Sequence, residues 1–291
     1  MSPKTLTEYW IEARKICELE RKRGSPEFPT GIDFIDNHTG GIKRGHIWII
    51  AGKTSSGKTA LSLQLARAFA DNPKNSILFL SLEMRGWQLC MRMFCEMTGL
   101  SYFDLVNGKK EIPKELNEMF CKYIKDIDFE ILEGGYVFEE LVETINRYYK
   151  TKKPDVVFLD FVQQIEWKNF KDERIALMEY IRKIKEMANR MNIAFVIVSQ
   201  IRRLPSGSDY NRPPDLYDLK GSGSLEQMAD IVLLLHKETD NRDGIESHFL
   251  NIAKNRHGQT CKGQVLFEGR SYRFRDLRYN EKTKALGDTF S

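Results

Sequence analysis

Two kinds of apolar segment alternate along most of the chain. HIWIIAG, SILFLSLE, FEILE, VVFLDF, AFVIVSQ, DIVLLLH and FLNIAKN are apolar over nearly their whole length, and segments such as LSLQLARAFA carry apolar residues at helical spacing between them. A strand apolar at every position is buried on both faces. The pattern therefore predicts an α/β fold, a mostly parallel sheet covered by helices on both sides. CKGQVLFEG and SYRFRDL, separated by a short turn, read as an antiparallel hairpin at an edge. Ahead of all these, residues 4–23 place Leu6, Tyr9, Trp10, Ala13, Ile16, Cys17 and Leu19 mostly on one helical stripe, so this helix needs a partner. That partner is either its own domain or a neighbouring subunit. RGSPEFPTG, with a glycine and two prolines, then breaks the pattern as a linker does. The expected organisation is an N-terminal helix and linker over 1–30, docking on a neighbouring subunit, one large domain over 31–278, and a polar tail over 279–291.

AGKTSSGKTA lies between the first apolar run and the first helical one. Gly52, Gly57, Lys58 and Thr59 meet the spacing G-x-x-x-x-G-K-[ST] in the strand–turn–helix context that a phosphate-binding loop requires. Glycines let the backbone of Gly52, Ser55, Ser56, Gly57 and Ala60 wrap a triphosphate, with N–H groups and the positive helix end aimed at the anion. Lys58 supplies a point charge for the β- and γ-phosphates, and the Thr59 hydroxyl a ligand for magnesium. The expected ligands are a nucleoside triphosphate and Mg2+.

Such a loop needs a second carboxylate on the metal side, and PDVVFLDF offers Asp160 at a strand end. Glu83, closing SILFLSLE, is placed to orient and deprotonate an attacking water. Gln200, closing AFVIVSQ, can sense a γ-phosphate by hydrogen bonding. A glutamine after a strand says little alone. The loop IRRLPSGSDYNRPP that follows is long, rich in Gly, Ser and Pro, and basic at Arg202, Arg203 and Arg212. It reads as a face for an anionic polymer or as a solvated surface loop.

Charge does not decide between those readings. Lys and Arg total 45 against 41 Asp and Glu, a net charge of +4, so any nucleic-acid site must come from a local patch. Five cysteines, Cys17, Cys90, Cys95, Cys121 and Cys261, form no CxxC pair and are odd in number, which suits free thiols in a reducing compartment. The apolar runs are strand-length and MSPKTLTEYW lacks a signal-peptide core. The expectation is a soluble cytoplasmic protein with no membrane partner.

FPTGIDFIDNHTGGIKRGHIWIIAGKTSSGKT, SLEMRGWQLCMR, FLDFVQQIE, VIVSQIRR, DLYDLKGSGSLEQMADIVLLLH and IAKNRHGQTCKG, in this order, resemble the motor domain of DnaB-type replicative DNA helicases over residues 28–275. The resemblance implies a RecA-like phosphate-loop NTPase core with ATP between subunits of a hexameric ring that moves 5′ to 3′ along single-stranded DNA. Gly57, Lys58 and Thr59 fall on its phosphate loop, Glu83 on the catalytic glutamate, Asp160 on the magnesium-side aspartate and Gln200 on the γ-phosphate sensor. Lys254 and Arg256 match the lysine and arginine that reach the neighbour's ATP site, where a cation in trans stabilises phosphoryl transfer.

DLKGSGSLEQMAD corresponds to the family's DNA-binding loop, with Lys220, Gly221, Ser222 and Gly223 gripping phosphates beside Arg202 and Arg203. Lys220 stands where the family often has arginine and Gly221 where it often has glutamate. A phosphate grip survives an Arg to Lys change better than bidentate recognition does. Glu226, Gln227 and Asp230 match the following helix as structural or relay residues.

Full-length relatives carry an N-terminal helical domain or a primase, and about thirty residues precede the motor here. The expectation is a minimal helicase, or a motor whose loader and primase contacts lie elsewhere. A recombinase or clock-type ATPase on the same core, and a ring scaffold that binds ATP without moving DNA, stay open beside the helicase.

Overall fold

A computed structural model describes residues 5–23, 28–134, 137–160, 173–202, 212–219, 222–239 and 246–277. The expected tail, together with Arg203, Lys220 and Gly221, lies outside these residues. Nine strands form one sheet: β1 (Ile47–Gly52), β2 (Ser76–Ser81), β3 (Asp128–Glu133), β4 (Val156–Asp160), β5 (Ala194–Gln200), β6 (Ile231–Thr239), β7 (Glu246–Asn255), β8 (Cys261–Glu268) and β9 (Arg273–Asp276). Their spatial order is β3-β2-β4-β5-β1-β6-β7-β8-β9.

The first six strands in that order are parallel, as their unbroken apolar runs predict. Alternate residues of each strand enter opposite cores. Trp48 and Ile50 of β1 face one side with Phe79 and Phe158, while Ile49 and Ala51 face the other with Leu80 and Leu159. The first core is closed by α2 (Asp33–Thr39), α3 (Lys58–Ala70), α4 (Gly86–Thr98), α5 (Tyr102–Val106) and α6 (Lys114–Asp126). The second is closed by α7 (Phe138–Thr151), α8 (Glu173–Met191) and α9 (Ser222–Met228).

FLNIAKN corrects the sequence reading. As part of β7 it pairs antiparallel with β6, and β8 and β9 continue the meander, so the antiparallel edge is more than a single hairpin. Only residues 240–245 join β6 to β7, too few for the crossover a parallel pair needs.

The helix before the domain, α1 (Leu6–Arg23), leaves Leu6, Tyr9, Trp10, Ile16 and Leu19 exposed. Phe28 is buried with its ring centroid 4.6 Å from that of Phe69, and it bridges to Ile42. All five cysteines are free, as the sequence suggested. No helix among the described residues is long and apolar enough to cross a membrane.

Candidate active site

The carboxyl ends of the parallel strands are where an open α/β sheet binds ligands, and four of them meet here. Pairing sets Gly52 of β1 beside Gln200 of β5, and Ser81 of β2 beside Asp160 of β4, with β4 and β5 adjacent. Register alone therefore gathers the phosphate loop, the aspartate and the glutamine into one row.

The loop from Lys53 to Gly57 turns through two left-handed residues, Ser55 at φ 62° and Gly57 at φ 93°. A side chain at Gly57 would put its Cβ 2.9 Å from the Phe274 ring, so both conformation and space require glycine. Helix α3 starts at Lys58 with no side-chain cap and no acidic residue in its first turn. Its leading amides and positive end are therefore left to an anion. Lys58 is nearly buried and donates 2.8 Å across the loop to the carbonyl of Lys53. Burial pulls its ammonium down to about 8, against the attraction of Asp160 and Glu83.

Asp160 is 3% exposed, and its Oδ1 has no hydrogen-bond partner. Burial raises its carboxyl to about 6; Thr59, Lys58 and Arg92 oppose the rise, and Glu83 adds to it. A buried carboxylate oxygen without a partner beside a threonine hydroxyl is a hard-oxygen donor set that suits magnesium. No cluster of three or more metal-binding side chains occurs among the described residues.

Glu83 lies two residues beyond β2 on a pinned turn. Ser81 Oγ donates to the Met84 carbonyl at 2.7 Å, the Leu82 amide donates to the Asp160 carbonyl at 2.7 Å, and the Gly86 amide donates to the Glu133 carboxylate. The result is a cleft of about 620 Å³ lined by Thr54, Ser55, Gly57, Lys58, Thr59, Ala60, Glu83, Asp160 and Gln200, with Met84, Gln88, Arg92, Phe267 and Tyr272. Gly52 and Ser56, also named from the sequence, lie outside that lining. A Cβ at Gly52 would come 2.6 Å from Ser56 Oγ and 2.8 Å from the Leu235 carbonyl, so the loop packs tightly on β6 there.

Sequence reasoning missed the last five lining residues. Gln88 and Arg92 are one helical turn apart on α4, a spacing that could have shown both facing the cleft once Glu83 was assigned. Tyr272 and Phe267 come from the β8–β9 hairpin, and no local pattern announces their arrival. Gln64 of α3 brings them, donating to the Phe274 carbonyl at 2.8 Å and accepting from its amide at 2.7 Å. Arg92 lies over the Tyr272 ring, 4.3 Å from its centroid. Tyr272 is held at φ 58°, a conformation of order 1 kcal/mol uphill for a non-glycine residue.

Lys254 and Arg256 are not in this cleft. Lys254 pairs with Val232 at the start of β6, and the Arg256 amide donates to the Asp230 carbonyl just before it. Asp230 in turn donates its amide to Ile47, the first residue of β1. Both cations thus sit at the amino ends of the parallel strands, about 17 Å from the phosphate loop by the rise along β1.

Among the residues expected to bind DNA, Arg202 is exposed, and its amide donates to the Asp218 carbonyl at 2.7 Å. Ser222 and Gly223 open α9. Arg212 departs from the reading of the basic loop, because its guanidinium is forked onto the buried Asp218 at 2.6 and 2.8 Å. That bidentate pair fixes the turn before residue 220.

A family model described as the DnaB-like helicase C terminal domain matches residues 27–276. The chain is 30% identical over 257 residues to a probable plasmid replicative DNA helicase of Chlamydia muridarum, covering 86% of this chain and 55% of that protein. It is 29% identical over 241 residues to the replicative DNA helicase DnaB of Helicobacter pylori, covering 80% of this chain and 49% of that one. The chain thus spans about half the length of the curated relatives it matches. Among solved structures, the ATPase domain of the protein G40P superposes with a TM-score of 0.82 at 23% identity, covering 95% of this chain and 100% of that one. A DnaB-like replicative helicase, described with its interactions with primase, gives 0.79 at 24% identity, covering 95% and 68%. At these identities the two structures establish the fold.

Proposed function

The chain belongs to the DnaB-like helicase C-terminal domain family, and on that premise we propose that it is the motor of an ATP-driven helicase that moves 5′ to 3′ on single-stranded DNA as a hexameric ring. One observation carries the reading. The cleft holds Lys58, Glu83, Asp160 and Gln200 together, while Lys254 and Arg256 lie at the other end of the strands. Such cations can serve only a cleft in another subunit, so hydrolysis requires assembly.

In that reading the amides of the loop and the first turn of α3 hold the triphosphate, and Lys58 leaves the Lys53 carbonyl for its β- and γ-oxygens. Tyr272, backed by Arg92, offers an aromatic face to the base. Thr59 and Asp160 would hold magnesium, which would supply neutralisation of charge on the transferred group. Glu83 accepts the proton of the attacking water, Gln200 hydrogen-bonds the γ-phosphate, and the neighbour's finger arginine meets the charge that develops. Lys220, Gly221, Ser222, Gly223, Arg202 and Arg203 hold the DNA backbone without reading bases, so binding weakens steeply with salt. The exposed stripe of α1 is read as docking on a neighbouring subunit, and a primase or helicase loader as a further partner.

The test is ATP hydrolysis with and without single-stranded DNA, with Glu83→Gln as the blank, followed by unwinding of a forked duplex. Strong stimulation, lost in the variant, and unwinding from a 5′ tail are expected. Hydrolysis indifferent to DNA would move the reading to a ring scaffold, and strand exchange without unwinding to a recombinase.

A further inference from the structure

The two cations at the far end of the sheet are both held by one short helix. Lys254 Nζ donates to the carbonyl of Glu226 and lies 3.4 Å from that of Gln227. Arg256 Nη2 donates to the Gln227 carbonyl at 2.6 Å, and Nη1 reaches Asp230 Oδ1 at 3.3 Å. These carbonyls belong to the last turn of α9, where a helix has no internal donors left and carries its negative end. The cations supply both the missing donors and the matching charge. Asp230 is itself fixed, because its Oδ2 accepts from the Ile47 amide at 2.8 Å and from Lys185 at 2.7 Å.

The other end of α9 is where the expected DNA-binding segment joins it, since Ser222 is its first residue. Leu219 bridges to Ile201, just past the carboxyl end of β5, whereas Asp230 bonds to the amino end of β1. Leu219 and Asp230, the residues on either side of α9, therefore lie at opposite ends of the sheet, and the last turn of α9 is on the side of the cations. Helix α9 is seven residues long, too short to hold itself together. Its order depends on the buried Leu225, on Ala229 just beyond it, and on the hold at its last turn.

We propose that Asp230 and the terminal carbonyls of α9 position Lys254 and Arg256 for the neighbour's nucleotide, and that reaching its γ-phosphate takes both cations off α9. Occupancy next door then changes the order of the helix that carries the DNA-binding segment. A doubly charged phosphate oxygen cluster is a stronger acceptor for ammonium and guanidinium than a neutral carbonyl, so the exchange runs downhill when ATP is present. Because such coupling is reciprocal, DNA bound at residues 220–223 changes nucleotide affinity by the same factor. The inference rests on the trans reading above.

Hydrogen exchange of the assembled protein, measured by mass spectrometry with magnesium and either ADP or a non-hydrolysable ATP analogue, tests it. Exchange over residues 225–230 should rise several-fold with the analogue relative to ADP, in the wild type and in Glu83→Gln. Arg256→Ala should show raised exchange without nucleotide and no further response. If that variant does not fold, Arg256→Lys, which keeps the charge but cannot bridge Gln227 and Asp230 together, should lose most of the response. Asp230→Asn should lower kcat and leave KM for ATP unchanged, and an unchanged kcat would remove Asp230 from the proposal.

Mixing Arg256→Ala with Glu83→Gln subunits separates the two levels of argument. Recovered hydrolysis with exchange equal in ADP and analogue overturns the release from α9 and leaves the trans reading standing. No recovery at any ratio, with mixing verified, overturns both.

Discussion

Replacing Asp160 by asparagine should make the nucleotide-free protein more stable while destroying its response to Mg-ATP. Asp160 is 3% exposed, so solvent screening takes little from the effect. Its carboxyl is raised from 3.8 to about 6, chiefly by burial. A carboxylate raised in the folded state contributes stability that is fully present below its unfolded pKa and lost as pH rises through the folded value. With ~1.4 kcal/mol per pKa unit, the loss is about 1.5 kcal/mol near pH 5 and about 3 kcal/mol near pH 7.5, then constant. Asparagine stands in for the protonated carboxyl and can still accept from Thr59, so the variant escapes this loss.

Across a chain of this size, about 3 kcal/mol corresponds to a rise in Tm of about 5 °C. Melts at the two pH values, with and without saturating Mg-ATP, are the assay. Ligand at about a hundred times Kd adds about 2.7 kcal/mol to a protein that binds it, so the order of the two proteins should narrow or reverse when ligand is present. A variant less stable than the wild type near pH 7.5, or a gain as large near pH 5, would refute the reasoning. Either result would mean that Asp160 is not an ionised buried group held at a cost for its ligand.

Glu83→Gln should bind ATP with unchanged affinity and lose about 10²- to 10⁴-fold in kcat, the usual contribution of a positioned base, as read by single-turnover hydrolysis. Tyr272→Ala should weaken nucleotide binding about tenfold in a titration, as loss of one stacking face does, with little change in kcat at saturation. Gly57→Ala forces a Cβ to 2.9 Å from Phe274 at φ 93°, so it should cost roughly 1–3 kcal/mol in a urea melt and lower nucleotide affinity as the hairpin shifts. His46 stacks on His257 at 4.7 Å, and burial lowers its pKa to about 4. A base depressed in this way contributes stability that is present above pH 6.5 and lost as pH falls through the folded value. His46→Asn should therefore reduce acid sensitivity in that window by about 1 kcal/mol near pH 5, after allowance for partial exposure, as followed by denaturation across that range.

What the sequence disclosed follows from the range over which each signal acts. The strands announced themselves because every residue of β1, β2 and β4 is buried, and the phosphate loop because its glycines answer to local backbone needs. Glu83, Asp160 and Gln200 were legible as polar residues at or just beyond the ends of apolar runs. Tyr272 and Phe267 were not, since their arrival depends on Gln64 binding a strand 210 residues away. The direction of β7 was hidden for a related reason. An apolar strand looks the same in either direction, and only the short connection to β6 records the reversal.

That reversal also explains why the proposed site is divided. A phosphate loop must follow a strand, which puts it at the carboxyl end of β1. Because β6 lies parallel to β1 and β7 returns antiparallel, whatever follows β7 comes out beside the amino end of β1. No rotamer of Arg256 spans the ~17 Å between the two ends. In the proposed reading, the need for a second subunit is thus written in the opposite directions of β6 and β7 rather than in the chemistry of the arginine. The same geometry sets the carbonyls of α9 beside the cations, so on the proposed mechanism a helix leading to the proposed DNA-binding segment is the nearest group that can notice when they leave.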